Sequence, residues 1–279
     1  MLNSDTGAAR AYHNDTKHSQ ERLRQTAHYL DWDIKPSPFK VYPDLEPIPL
    51  PRELPPLAMP ALAAIAAVHR RCPPKVPGLV DLARLLHLSA GITRRKSYPD
   101  GQEWYFRAAA CTGALYHIDV YVICGDLSGL PAGVYHFGPH DFSLYRLRDG
   151  DHRGVAIAAS GEEPSLQQAP VILAFASTYW RNAWKYQARA YRHCYWDCGT
   201  LLANLFAVAA AGALPTNLVC GFVDETIETL LGLNPEREGA LALVAVGASK
   251  APIPDPPADV PLLALATLPL SSDEIVRPR

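Results

Sequence analysis

Proline decides where this chain cannot be regular. Twenty-six of its 279 residues are proline, against a usual ~5%. They concentrate between Pro36 and Pro77 and in the tail after Lys250. Proline fixes φ and lacks an N–H, so neither stretch can be a long helix or a central strand. The expectation is an extended N-terminal arm over 1–57, a regular domain over 58–250 and a Pro-rich C-terminal arm over 251–279. The first arm carries Trp32, Phe39, Tyr42 and several leucines. It should therefore pack on something, either its own chain or a partner subunit.

The regular portion is long enough to bury a substantial core, and 48% of the chain is hydrophobic. A net charge of −2 argues against a nucleic-acid coat or a polybasic membrane anchor. The N-terminal residues show no apolar signal region. The longest apolar runs, "LLANLFAVAAAGAL" and "PALAAIAAV", are too short to span a bilayer. Six scattered cysteines in mostly apolar surroundings suggest reduced thiols and a cytoplasmic protein.

Periodicity predicts helices over 58–71, 78–91, 198–212 and 224–233, with Gly91 as a C′ residue and Asp224 as an N-cap. Strands are expected over 117–124, 170–178, 216–222 and 239–249. A pair is expected within 132–148, turning at Gly138–Asp141 and facing the core through either Val134 and His136 or Tyr135 and Phe137. The stretch 93–115 reads as irregular, with a turn at Pro99–Gly101. Helices and strands alternate without regular βαβ spacing, which indicates an α+β or mixed α/β domain.

Chemistry concentrates in Tyr179–Phe206. No Asp or Glu lies between Glu163 and Asp197, yet Arg181, Lys185, Arg189 and Arg192 fall there. As one helix, the segment would carry all four on one face, which is either solvated or set against an anion. A lysine held among arginines is a candidate general base, because burial and like charge both lower its pKa. Tyr186 beside it could relay a proton. Both reach one substrate only where the helix is irregular or the site wraps its edge; the plainer reading is a solvated Lys and a half-buried Tyr.

Two small-residue loops could approach a ligand: "AAACTGAL" (108–115), and "VCGF" (219–222) before a helix N-terminus with free N–H groups. Tight packing explains either loop equally simply. Cys194, Cys198 and His193 lack the further ligands a metal would need and read as core, so no metal site is expected. Asn204 reads as a core amide bonded to backbone.

Taken in order, "AAACTGALYHIDVYVI", "LPAGVYHFGPHDFSLYRL", the run from "WKYQARAYRHCYWDCGT" to "ETLLGL", and "LALVAVG" resemble the SagB-type dehydrogenases. These are the azoline-oxidising branch of the FMN-dependent nitroreductase superfamily. The resemblance covers roughly Pro60 to Lys250. It implies an α+β, nitroreductase-like fold with a mixed, mostly antiparallel sheet flanked by helices, and a dimer sharing FMN. The implied reaction is two-electron oxidation of a thiazoline or oxazoline in a modified peptide. It implies Lys185 and Tyr186 as the catalytic pair. For FMN it implies Arg70-Arg71-Cys72 and Lys250 at the phosphate, Thr112 and Gly113 in the loop that meets the ring, and the Cys220-Gly221 turn before Phe222. Arg189, in the cationic segment, joins these candidates.

Three departures accompany the resemblance. Cys72 stands for the family's Ser, Ala110-Cys111-Thr112-Gly113 for Pro-Ser-Gly-Gly, and "DCGT" (197–200) for Glu-Ala-Gly-His. Thr112 could still offer its hydroxyl and N–H to a flavin. Two other readings share the fold: an NAD(P)H-driven nitro or quinone reductase, and a flavin-poor partner subunit of a heteromeric dehydrogenase.

Overall fold

The computed structural model describes residues 6–25, 28–68, 72–99 and 101–274. Its centre is a seven-stranded sheet in the order β1-β6-β5-β4-β7-β9-β8. The strands are β1 (Pro47–Pro49), β4 (Ile118–Cys124), β5 (Gly133–Gly138), β6 (Ser143–Asp149), β7 (Val171–Thr178), β8 (Thr216–Val219) and β9 (Glu238–Val246). Every pairing in the sheet is antiparallel, so the expected mixture of directions is absent among the described residues. β7 lies between β4 and β9 and is buried along its whole length, the position its unbroken apolar run predicted.

Both faces of the sheet are covered. Helices α4 (Leu79–Ala90) and α7 (Ala190–Ala211) pack on one face, against Val120, Val122, Phe137, Leu173, Phe175 and Val244 among others. Helices α5 (Arg153–Ala159) and α8 (Asp224–Leu231) cover the other, against Ile123, Val134, Ile172 and Leu243. Double coverage explains why these strands read as continuous hydrophobic runs without alternation. It also removes the choice of register in β5: Val134 and His136 are buried on one side, Tyr135 and Phe137 on the other.

The arms complete the second layer from within the same chain. Tyr42 and Leu45 from the first arm, and Ile253, Val260, Leu263 and Leu265 from the second, join that core. The N-terminal arm is only partly extended. It contains α1 (Gly7–Thr16), α2 (Gln20–Gln25) and the edge strand β1, which pairs with β6 through Ile48 and Leu144.

Several local expectations are corrected. The stretch after Gly91 is a hairpin, β2 (Ile92–Ser97) with β3 (Glu103–Arg107). Its strands are largely solvent-exposed, so no apolar period marked them. The helix expected over 58–71 is the single α3 (Ala61–Ala66). Gly91 ends α4 in extended geometry, φ −70°; it is glycine because a Cβ there would lie 2.6 Å from the His87 carbonyl oxygen. Val223, not Asp224, is the N-cap of α8. Asn204 is half-buried and donates to the Leu88 carbonyl.

The cationic segment is not one helix. α6 (Tyr179–Tyr186) ends where Gln187 takes φ 50° and ψ −138°, and a 3₁₀ turn over Gln187–Arg189 leads into α7. The combined run 179–211 is long and apolar enough to cross a bilayer by composition, but Leu201, Leu202, Leu205 and Ala209 of α7 are part of the core under the sheet.

Candidate functional site

The break at Gln187 sends the four cations to different places. Arg181 is fully buried and points inward, with Nη1 3.0 Å from each Asp119 carboxylate oxygen. Burial alone would raise the Asp119 carboxyl, but Arg181, then His136 and Lys40, hold it well below the ordinary carboxylate range. Arg189 donates to the Thr16 carbonyl, and Arg192 to Thr16 Oγ1 and the His13 carbonyl. These two cations fasten α1 to the domain; the expectation that Arg189 meets FMN gains no contact here.

Lys185 and Tyr186 are left at the end of α6. Both are half-buried. Lys185 Nζ sits 5.5 Å from the Tyr186 ring centroid. Among the described residues, no hydrogen bond or ion pair is formed by Lys185 Nζ or Tyr186 Oη, so both polar ends are available. The helix irregularity needed for adjacent residues to serve one site is therefore present. Burial, reinforced by Asp197 and Cys111, pushes the Tyr186 phenol up, so it stays protonated at neutral pH. The edge of His193 stacks against the Tyr186 ring at 4.6 Å, and His193 Nδ1 is hydrogen-bonded to Asn182 Oδ1 at 2.7 Å.

Tyr186 stands over the loop that precedes β4. Gly113 there has φ 65°, and a Cβ on it would lie 2.8 Å from Tyr186 Oη. Both reasons demand glycine. The loop is held by a residue that sequence reasoning treated only as a departure, Asp197 on α7. Its carboxylate accepts from Thr112 N (3.0 Å), Thr112 Oγ1 (2.8 Å) and Cys111 Sγ (3.1 Å). His117 Nε2 lies 2.8 Å from the same carboxylate and His117 Nδ1 2.8 Å from Ser177 Oγ. Burial pushes Asp197 up, but these bonds, His117 first, keep its carboxyl lowered. Both Thr112 donors expected to face a flavin are therefore spent on Asp197.

The second loop comes near α7 at Cys198. Burial and the nearby Cys220 thiol push Cys198, one residue beyond Asp197, up to about 12. Cys220 and Gly221 are exposed, and no heavy atom lies within 4 Å of where a Cβ on Gly221 or Gly199 would be. The structure thus brings Gly113, Tyr186 and Asp197 together beside α7, while Cys220 approaches Cys198 of the same helix. Gly199 and Gly221 present exposed backbone that a flat ring could approach, and Tyr186 Oη lies against Gly113. The phosphate end of FMN would fall to residues elsewhere. Arg70 and Arg71 lie outside the described residues, Cys72 is half-buried ahead of α4, and Lys250 is exposed after β9. No contact among the described residues joins Lys250 to the loops around α7.

None of the six cysteines forms a disulfide. Cys194 Sγ donates to Ser177 Oγ, and His193 Nδ1 is turned to Asn182.

The chain is 27% identical over 169 residues to MJ1384, a nitroreductase-like protein of Methanocaldococcus jannaschii, covering 61% of this chain and 80% of that one. It is 27% identical over 190 residues to the trifolitoxin-processing protein TfxB of Rhizobium leguminosarum bv. trifolii, covering 66% of this chain and 51% of TfxB. A nitroreductase-like crystal structure from Anabaena variabilis superposes with a TM-score of 0.70 at 29% identity, over 85% of this chain and 45% of that one. The chain thus spans about half the length of TfxB and of the Anabaena protein. The microcin synthetase McbBCD complex of E. coli shares the fold, with a TM-score of 0.54 at 17% identity. The nitroreductase family matches residues 79–248, from the first residue of α4 to just beyond β9, and that span contains both loops and the Lys185–Tyr186 pair; the chain belongs to this family of oxidoreductases.

Proposed function

We propose that the protein is an FMN-dependent dehydrogenase of the SagB type, oxidising a thiazoline or oxazoline ring in a modified peptide. The observation that carries this reading is the pair of unpartnered polar ends, Lys185 Nζ and Tyr186 Oη, beside the left-handed Gly113. FMN, when bound, supplies a two-electron acceptor. Gly113, Gly199 and Cys220-Gly221 would lie along its ring, and Arg70, Arg71, Cys72 and Lys250 would serve its phosphate. Lys185 would take the proton leaving the ring carbon, and Tyr186, held as the phenol, would donate a hydrogen bond to the substrate. The TfxB relationship supports a peptide-processing role.

The ring site is an open surface on α7, flanked by the exposed Tyr195 and Trp196. A second chain, identical or related, would enclose it. The free thiols suit a reducing, cytoplasmic setting. The test is single-turnover bleaching of FMN by an azoline peptide. Lys185→Ala should keep flavin bound and lose turnover by about 10²–10⁴-fold. Full turnover in that variant removes Lys185 as the base.

A second reading, a flavin-poor partner subunit, is favoured by one observation: Asp197 occupies both Thr112 donors. Equilibrium dialysis against FMN separates the two. Tight uptake by the isolated chain eliminates the partner-subunit reading, and no uptake eliminates the enzyme reading for the chain alone.

A further inference from the structure

We propose that Cys111, His117 and Asp197 form a binding site for a divalent zinc-class cation, tying the loop before β4 to helix α7. The site is independent of the flavin reading. One ligand atom from each residue lies within 4.8 Å of the others. Sγ of Cys111 is 3.1 Å and Nε2 of His117 2.8 Å from Asp197 Oδ2. One thiolate, one imidazole and one carboxylate are the donors zinc takes, usually in tetrahedral geometry. Tetrahedral bonds of ordinary length would separate S from O by about 3.5 Å and N from O by about 3.3 Å. The two contacts to Asp197 therefore need to lengthen by only about half an ångström to admit the ion.

The surrounding contacts are those that orient metal ligands. Ser177 Oγ, 2.8 Å from His117 Nδ1, can accept from that nitrogen and so leave the Nε2 lone pair facing Asp197. The Tyr116 N–H donates to Cys111 Sγ at 3.1 Å, as it would to a thiolate. Thr112 Oγ1 donates to Asp197 Oδ1 at 2.8 Å, and the Thr112 N–H, 3.0 Å from both carboxylate oxygens, can settle on Oδ1 and turn Oδ2 to the ion. A thiolate and a carboxylate together match a dication's charge. A small cavity of ≈ 20 Å³, bordered by Cys111, Asp197, Tyr116 and Arg107 but not by His117, has room for one water on the Cys111–Asp197 side of the cluster. Two ligands are anchored in rigid elements: Asp197 is on the 22-residue α7 and His117 immediately precedes β4.

The competing arrangement is a metal-free cluster in which Asp197 accepts from the Cys111 thiol and His117 Nε2–H. Elemental analysis of the full chain, purified untagged and passed through a weak chelator, decides between them. The expectation is about one zinc per chain, falling at least about tenfold in Cys111→Ser and His117→Gln. His117→Gln keeps polar contacts to Asp197 and Ser177, so its loss of metal is not a loss of packing; circular dichroism confirms the fold. Should either variant fail to fold, cobalt substitution of the wild-type chain still reads the site. A thiolate-to-cobalt charge-transfer band supports the proposal. A folded chain that takes up no zinc from a buffered solution, or variants retaining wild-type metal content, would overturn it.

Discussion

Arg181→Met tests whether the most buried cation of this chain serves the fold or a ligand. Arg181 is 0% exposed and Asp119 3%, and their charged atoms are 3.0 Å apart. At an effective dielectric of about 20, that separation is worth roughly 5–6 kcal/mol of Coulomb energy. The substitution keeps most of the aliphatic stem, so the dominant cost is the carboxylate left behind. Part is offset, because Asp119 still accepts from Thr178 Oγ1 at 2.7 Å and faces His136 Nε2 at 3.8 Å. The expected loss is about 3–5 kcal/mol, as for other broken buried pairs, read as a lower urea midpoint at unchanged m-value. The pH dependence has a definite sign. In the wild type the depressed Asp119 contributes stability above the ordinary carboxylate range, and this is lost only as pH falls through its depressed folded value. In the variant, burial raises the same carboxyl, so the native state binds the proton first and the gap between the two proteins narrows from pH 7 towards pH 5. Adding Asp119→Asn should recover at least about 2 kcal/mol. A single-variant loss under about 1 kcal/mol, or weaker flavin binding with unchanged stability, would refute the assignment of Arg181 to the interior pair.

Gly113→Ala forces a Cβ onto a left-handed residue and against Tyr186 Oη. It should cost about 1–3 kcal/mol and lower turnover more than a surface change of equal cost, measured by urea melts beside single-turnover kinetics. Asp197→Asn should lose about 1–3 kcal/mol at neutral pH. The wild-type Asp197 carboxyl is held low, so its contribution is present above the ordinary carboxylate range and fades as pH falls below it; the variant's acid limb should be correspondingly flatter in melting temperature against pH. Trp184→Ala removes a buried ring whose Nε1–H donates to the Asp31 carbonyl at 2.8 Å and whose edge meets Trp32. It should cost about 3–5 kcal/mol and open the 28–34 segment to limited proteolysis, detected by mass spectrometry of the first cut.

The core of the fold was legible because its signal is local. The runs "VILAFAST" and "ALALVAV" are of strand length and apolar throughout, which fits only strands covered on both faces. What was not legible depends on pairings between distant residues. The β2–β3 hairpin is held by Arg95 against Glu103 and over the ring of Tyr105, its cross-strand partner, contacts that leave no hydrophobic period. The spacing of Arg181, Lys185, Arg189 and Arg192 invited one helical face, but the spacing cannot show that Gln187 breaks the helix. One clue to the destination of Arg181 was available: Asp119 interrupts "HIDVYVIC", and an acid inside a buried strand needs a cation. Arg181 is that cation, 62 residues further on.

The same logic explains the candidate site. Read singly, Cys111, His117 and Asp197 were a loop cysteine, a residue at a strand start and part of a departure from the family pattern. Only the packing of α7 across the start of β4 converts them into one constellation. Asp197 then fixes Thr112 and Cys111, the adjoining Gly113 sits under Tyr186, and α7 exposes bare backbone at Gly199. The residues that would do chemistry, Lys185 and Tyr186, are the ones the broken helix leaves without partners. The other cations of the segment are spent on the interior and on the first arm. A helix unbroken at Gln187 would have carried Arg189 and Arg192 on past Lys185 along one face. The break therefore separates the positions that stabilise the fold from the two free to meet a substrate, and restoring helical geometry there should disturb the site before it disturbs the sheet.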